Sequence, residues 1–471
     1  MEGRRRGQVG AMVPNVRSQR FDVRRRCRRH PHRRVGGAGR RVRGSHLIRV
    51  VGLLGTAIVF SRPSDAQDDA TPRNIFPPRT DPAPPRAEPP LDGRDGRDLS
   101  IRHFTPTQQL VRPANVPSRA MFPVVDVHTH LFFRLRDNRV ELDDFVSVMD
   151  RNRIAVCVSL DGRLDAWLDS HHQFLHDAYP NRFAVMAHLN WVGNGDIRDP
   201  ATWDSNRPGW GDRMADAIRE ADAKGQIVGL KIFKRLGLGH RHADGSLVAV
   251  DDPMLDPIWN VCGELGLPVL MHTADPAAFF EPIDQYNERW EELIRHPDWS
   301  FHGDEFPSRD ELFDQRCRMW SRHPDTNFIA AHVGNDPEDL DRVEGWLRDH
   351  PNVVVELASR ISELGRQPRR ARRFILDHSD RVLFGTDGPW PEARLRAYWR
   401  FLETADESFD YSEKQPPPQG HWRIDGVDLP PEVLRKVYHE NAVRLMPRLA
   451  AMIDAAFPEQ MDAAYAEGVD E

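Results

Sequence analysis

Five residues in this chain have the types and the company to do chemistry. His128 and His130 end the apolar stretch "VVDVHTHLFFR" (Val124 to Arg134), His272 ends "PVLMHT", His332 lies in "FIAAHVG" and Asp387 ends "VLFGTD". Three neutral imidazoles and one carboxylate drawn from such a set suit a borderline divalent ion such as Zn2+, at about 2.0 to 2.2 Å per bond, with a position left for water. That water would titrate near pH ~7 and serve as nucleophile or proton source. A lone His-x-His pair is more often two structural or solvated histidines at a strand end. The weight lies in four separate apolar runs ending in the same kind of residue.

Something must bring these ends together. Short apolar runs alternate with amphipathic stretches: 124–130, 155–160, 183–190, 227–233, 268–273, 328–334, 353–359 and 382–387. Between them lie helical patterns such as "LDDFVSVMDRN", "GDRMADAIREADAKG", "DPMLDPIWNVCGELG", "EDLDRVEGWLRDH" and "RRARRFILDHS", and "PPEVLRKVYHENAVRLM" follows the last run. Gly at the end of the second and third matches the helix C-cap preference. Near-continuous apolar strands joined by helices imply a parallel sheet covered on both faces. Eight such units predict an α/β fold, a closed (β/α)8 TIM-type barrel, whose strand C-termini open on one face. No Gly-rich phosphate loop follows a strand, which removes the nucleotide-binding alternative.

Period-2 alternation predicts that Asp126, His128 and His130 face one way and that Val125 and Val127 face the helices. The same parity places Leu270 and His272, and Leu383, Gly385 and Asp387, inside the barrel. Two connections are long and aromatic. One carries Trp191, Trp203 and Trp210, the other Phe279, Phe280, Trp290 and Trp299, and either loop packing or pocket lining accounts for the rings.

The motifs "DVHTH", "LMHTADP", "FIAAHVGN" and "LFGTDGPWP", with "YHENAVRL" near the end, resemble the strand 1, 5, 6 and 8 motifs and closing segment of the amidohydrolase superfamily. The resemblance is to the amidohydrolase-related branch that includes aminocarboxymuconate-semialdehyde decarboxylase, and it covers about residues 120 to 450. It implies His128, His130, His272 and Asp387 as ligands of one metal ion. It implies His332 as an acid/base off the metal, and Asp387 as both ligand and proton acceptor. It does not specify a substrate.

Lys231, in "GLKIF", has inward parity at the end of strand 4. Three readings stay open for it: a carboxylated lysine bridging two metals, a cation for a substrate carboxylate or oxyanion, or a lysine paired with an acidic neighbour. Arg134, Arg235 and Arg360 stand just beyond strands 1, 4 and 7, where a guanidinium can clamp a carboxylate, although a solvated loop arginine is the plainer reading of any one of them. Lys231, Arg134, Arg360 and Trp390 are taken forward as the substrate-binding set. Glu356, His188 and Asn190 are read as supporting or packing residues.

The rest of the chain bears on location. Residues 1–49 hold sixteen arginines against Glu2 and Asp22, a local charge of +14, so the overall −7 leaves −21 for residues 50–471. A dense basic stretch can bind nucleic acid, but this one stops before the apolar "VVGLLGTAIVF" (Val50 to Phe60) and the small-x-small "SDA" (Ser64 to Ala66). That is the layout of an export signal. No nucleic-acid partner is expected, and the run is shorter than the roughly 20 residues a membrane span needs. The expected organisation is a basic leader with an export signal (1–66), a Pro-rich linker (67–119), the barrel (120–452) and an acidic tail (453–471). Exported or periplasmic location follows, with a cytoplasmic one if the leader is only a basic tail. Cys27, Cys157, Cys262 and Cys317 are widely spaced and carry no CxxC pattern, so they mark neither a redox motif nor a metal site.

These features lead to a metal-dependent hydrolase, with one divalent ion, Zn2+ first, activating water against a carboxylic ester, lactone or amide of a small molecule. A decarboxylase of an unsaturated or aromatic acid would use the same ligands. A barrel that retains metal without turnover is the third reading. Homo-oligomerisation is left open.

Overall fold

Eight short strands form in the order of the apolar runs: β1 Val124–Thr129, β2 Ile154–Arg163, β3 Phe183–His188, β4 Gly229–Ile232, β5 Val269–Met271, β6 Phe328–Ala330, β7 Val353–Glu356 and β8 Val382–Leu383. In this computed structural model, which describes Leu99, Phe104 and residues 106–414 and 416–458, each strand pairs in parallel with the next, in the order β1 to β8. Closure comes from the chain beyond β8. Val127 N–H donates to Phe384 O (3.1 Å), Asp387 N–H to His128 O (2.8 Å) and His130 N–H to Gly388 O (2.6 Å). The result is the expected (β/α)8 barrel. The export-signal leader, most of the linker and the end of the acidic tail lie outside the described residues.

Eight principal helices follow the strands in turn: α1 Arg139–Asn152, α2 Ala166–His176, α3 Trp210–Ala223, α4 Asp256–Leu265, α5 Arg309–Arg322, α6 Leu340–Asp349, α7 Pro368–Asp377 and α8 Glu392–Glu403. Their ends are written in the sequence. The Asn138 side chain accepts from Val140 N–H and Glu141 N–H to start α1, and Gly266 at φ 66° stops α4, as capping chemistry requires.

Two apolar clusters hold the layers. One joins Cys157, Val185, Leu230, Val269, Val355 and Val382 to the helices. The other takes the alternate strand positions, among them Val158, Met186, Leu270, Ile329, Val354 and Leu383, together with Ala442, Leu445, Leu449 and Ile453. It fills the barrel, and the C-terminal helical segment closes it from below, where Arg448 donates to the Ile227 carbonyl just ahead of β4 (2.9 Å). Each such fully buried Leu or Ile is worth about 1.5–3 kcal/mol.

The structure corrects the expected parity of β1. Val125 and Val127 belong to the interior cluster rather than to the helix layer, and Asp126 pairs with Cys157, which belongs to the outer one. A register shift between Asp126 and Thr129 is the reason: an irregular step of this kind breaks strict alternation and re-aims the residues after it. His128 therefore reaches the interior through the irregularity. His332 and Asp387 reach the mouth by another route than strand parity, because β6 stops at Ala330 and β8 at Leu383. Both side chains sit on left-handed turns, at φ 59° and 62°.

Residues 106–119, expected as free linker, bond to the barrel. Asn115 donates from its backbone and side chain to the two carboxylate oxygens of Asp406 (2.7 and 2.8 Å), and Gln108 donates to Ser408 Oγ (2.9 Å). Among the described residues no helix is long and apolar enough to cross a membrane.

Candidate active site

The mouth of the barrel gathers buried polar groups, each with an identified partner. His128 lies near Glu356, with Nδ1 2.9 Å from Glu356 Oε1. His130, just past β1, points Nδ1 at Asp161 Oδ1, 2.7 Å away. A carboxylate takes one ring N–H in each case, which fixes the tautomer and leaves the lone pair on Nε2. Those two Nε2 atoms lie 3.8 and 3.5 Å from Asp387 Oδ1. Ser359 Oγ–H donates to the other oxygen, Asp387 Oδ2 (3.2 Å).

His332 stands beside this group, its ring centroid 4.7 Å from that of His128. Its Nδ1 is 2.8 Å from the Ala358 carbonyl, so Nδ1 carries the proton and Nε2 is an acceptor. The turn that presents it is strained: the β-branched Val333 adopts φ 57°, which costs on the order of 1–3 kcal/mol. Four bonds hold it. His332 N–H donates to Glu356 Oε1 (2.7 Å), Arg316 donates to Gly334 O (2.9 Å), and the Asn335 amide donates to the carbonyls of Thr273 and Ala274 (3.1 Å each).

Lys231 is fully buried, with Nζ 3.5 Å from His128 Nε2. Burial lowers its ammonium to about 8, against the opposing pull of Glu356, Asp387 and Asp161. Burial, then the Lys231 charge, holds His128 well below its ordinary range. Burial also holds His332 well below it and takes His272 down to about 4. These imidazoles are neutral, the form that binds metals. Burial pushes the Glu356 carboxyl up, only partly offset by the N–H groups of Ala358 and His332. For Asp387 burial pushes up too, but His128, His130, Lys231 and Arg134 outweigh it and hold the group below the usual carboxylate range.

The donor set fits a divalent ion. His128, His130 and Asp387 offer ligand atoms all within 4.8 Å of one another, and so do His128, His332 and Glu356. In the first group both histidines have their other nitrogen occupied by a carboxylate, the outer arrangement that metal-binding histidines favour. His272 is next door, its ring centroid 4.6 Å from that of His332, but it belongs to neither group. Its Nε2 is 3.1 Å from Asp275 Oδ1. The Lys231 ammonium, with the Arg134 guanidinium near Asp387, opposes a cation there.

The other expected residues are placed as follows. Arg134 is exposed, donates to the Asp387 carbonyl (3.2 Å) and lies 4.0 Å over the Trp390 ring. The Trp390 indole N–H donates to Thr386 O (2.8 Å). Arg360 is buried, donates to Asn335 Oδ1 (2.9 Å) and Ser359 O (3.0 Å), and keeps a buried Nε–H without a partner. Arg235 is exposed on the turn after β4. His188 packs against Phe233, and Asn190 donates to Asp165 Oδ2 (3.1 Å). Trp191, Trp203 and Trp210 are buried packing residues, whereas Trp290 and Trp299 are exposed.

Sequence reasoning passed over Asp161, Asp275 and Ser359. Asp161 closes the β2 run directly after Leu160, and Asp275 follows His272 by three residues, so both carried a strand-end signal. Ser359 carried none.

Comparison with known proteins adds the following. A model of the amidohydrolase family matches residues 125–448. No curated protein matches the chain. Among solved structures, 2,6-dihydroxybenzoate decarboxylase from Rhizobium is similar at 17% identity, over 70% of this chain and 99% of that one, with a TM-score of 0.42. An uncharacterised TIM-barrel protein from Bordetella bronchiseptica gives 17%, 70%, 100% and 0.42. A 4-oxalomesaconate hydratase from Rhodopseudomonas palustris gives 14%, 70%, 98% and 0.43.

Proposed function

Because the chain belongs to the amidohydrolase family of metal-dependent enzymes, we propose that it hydrolyses a carboxylic ester, lactone or amide of a small organic substrate, with one divalent ion, Zn2+ first, held at the barrel mouth. The observation that carries the reading is the convergence of His128 Nε2 and His130 Nε2 on Asp387 Oδ1, with both Nδ1 atoms tied to carboxylates. His128, His130 and Asp387 would hold the ion, with His272 as fourth ligand. When bound, such an ion lowers the pKa of water and polarises a carbonyl oxygen.

The protein groups supply the rest. Asp387, with the cations Lys231 and Arg134 nearby, takes the proton of the attacking water. His332 orients that water through Nε2, since its Nδ1–H is committed to Ala358 O. Lys231, the nearest buried cation, stabilises the oxyanion that develops on the substrate. Arg134 and Trp390 form a rim where the substrate is first touched.

A second reading is supported by Arg360. Among the described residues no carboxylate lies within ion-pair distance of its buried guanidinium, which bonds only to neutral oxygens. A buried charge without a counter-ion is costly, and a substrate carboxylate would relieve it. That favours an acidic substrate, and with it decarboxylation by the same residues, where a proton is delivered to the carbon that loses CO2.

The test is a His128→Ala, His130→Ala double variant of the purified protein, assayed for metal content and turnover. Loss of both is expected; wild-type turnover in the double variant ends the proposal. Product analysis then separates the two readings, by incorporation of water on the one hand and CO2 release without it on the other.

A further inference from the structure

His272 is held by a chain of groups that the reaction so far does not use. Asp275 follows it by three residues and is buried, with Oδ1 3.1 Å from His272 Nε2 and Oδ2 2.5 Å from Lys234 Nζ. The Asp275 carbonyl in turn accepts from Arg309 Nε (2.9 Å). The intervening turn cannot drift: Ala274 is at φ 59°, and Asn335 bonds both the Thr273 and Ala274 carbonyls. Lys234 sits just past β4, its ammonium 5.2 Å from the Phe301 ring and 5.8 Å from that of Trp299, both on the long β5–β6 connection.

A neutral imidazole next to a carboxylate gives that carboxylate its N–H and keeps its lone pair on the other nitrogen. The Lys234 ammonium donates to the other Asp275 oxygen at 2.5 Å, so the carboxylate faces His272 as an acceptor. We propose that Asp275, anchored by Lys234, is a positioning residue that fixes His272 in the Nε2–H form and so makes Nδ1 its metal-ligating nitrogen. The proposal rests on His272 being a ligand, as read above. It also gives the "HTAD" spacing a purpose, since residues three apart across a left-handed Ala can fold the carboxylate back onto the ring.

The experiment measures metal affinity of the full chain by competition with a chromophoric chelator, with the visible spectrum of the Co2+-loaded protein as a second readout. Asp275→Ala is expected to weaken the ion by about 10–100-fold, as loss of a carboxylate behind a ligating histidine does, and to shift the Co2+ bands. Lys234→Met should move both readouts the same way by less, with Lys234→Arg restoring them. Asp275→Asn keeps the volume and serves where the alanine variant does not fold. His272→Ala is the control. If it loses the ion while Asp275→Ala and Asp275→Asn bind as wild type with unchanged Co2+ bands, the positioning role is wrong and the ligand reading stands. If His272→Ala itself binds as wild type, both fall.

Discussion

Glu356 is used three times over, and that makes it the most informative single residue of the site. One carboxylate accepts from the His128 ring, from the His332 backbone N–H and from Ala358 N–H, so it sets a tautomer on β1 and a turn after β6 at once. Glu356→Gln swaps one acceptor oxygen for an NH2 group that faces donors. It should weaken metal binding about 10–100-fold and cost about 1–3 kcal/mol of stability through an unsatisfied buried group. Chelator competition and thermal denaturation would show this, and an unchanged affinity would mean that the His128 tautomer is set elsewhere. At this scale the sequence exposed the chemistry but not the support. The histidines and Asp387 announce themselves by residue type at the ends of apolar runs. Glu356, Asp161 and Asp275 are carboxylates whose role depends on which ring they meet across the barrel, and spacing along the chain carries no record of that.

At the scale of elements, the site has a narrow fit just beyond β8, where the chain passes between β1 and β7. A Cβ on Gly385 would stand 2.7 Å from Glu356 Oε2 and 3.1 Å from His128 Cβ, and both neighbours are buried and already bonded. Gly385→Ala is therefore expected to displace the Glu356–His128 pair and lose the ion, while helix content by circular dichroism stays near wild type. Full metal occupancy in that variant would show that the pair can shift without consequence. The eight strands were legible because each is an apolar run bounded by polar turns, and α4 because Gly266 marks its end. What period-2 reasoning could not see was the irregular step in β1 and the left-handed turns at His332 and Asp387. Such features arise from closure and cross-barrel hydrogen bonds, which outweigh local preference.

For the whole molecule, the barrel begins earlier than its first strand. Asn115 and Gln108 tie residues 106–119 to the loop at 406–408, and bonds to a charged acceptor such as Asp406 are worth about 1.5–3 kcal/mol each. A chain starting at residue 120 should melt below one starting at residue 106, with Asn115→Ala reproducing much of the loss; equal melting points would make the segment dispensable. Export remains a proposal drawn from the leader, and N-terminal sequencing of protein expressed with its leader intact should find a mature start near Gln67. The proposed chemistry depends on one ion at one site. Metal analysis of the purified protein tests that most directly: about one equivalent of a divalent ion per chain is expected for a site of this kind, falling to background in the His128→Ala, His130→Ala variant. No metal in the wild type, about two equivalents through a carboxylated Lys231, or undiminished metal in the double variant would contradict it.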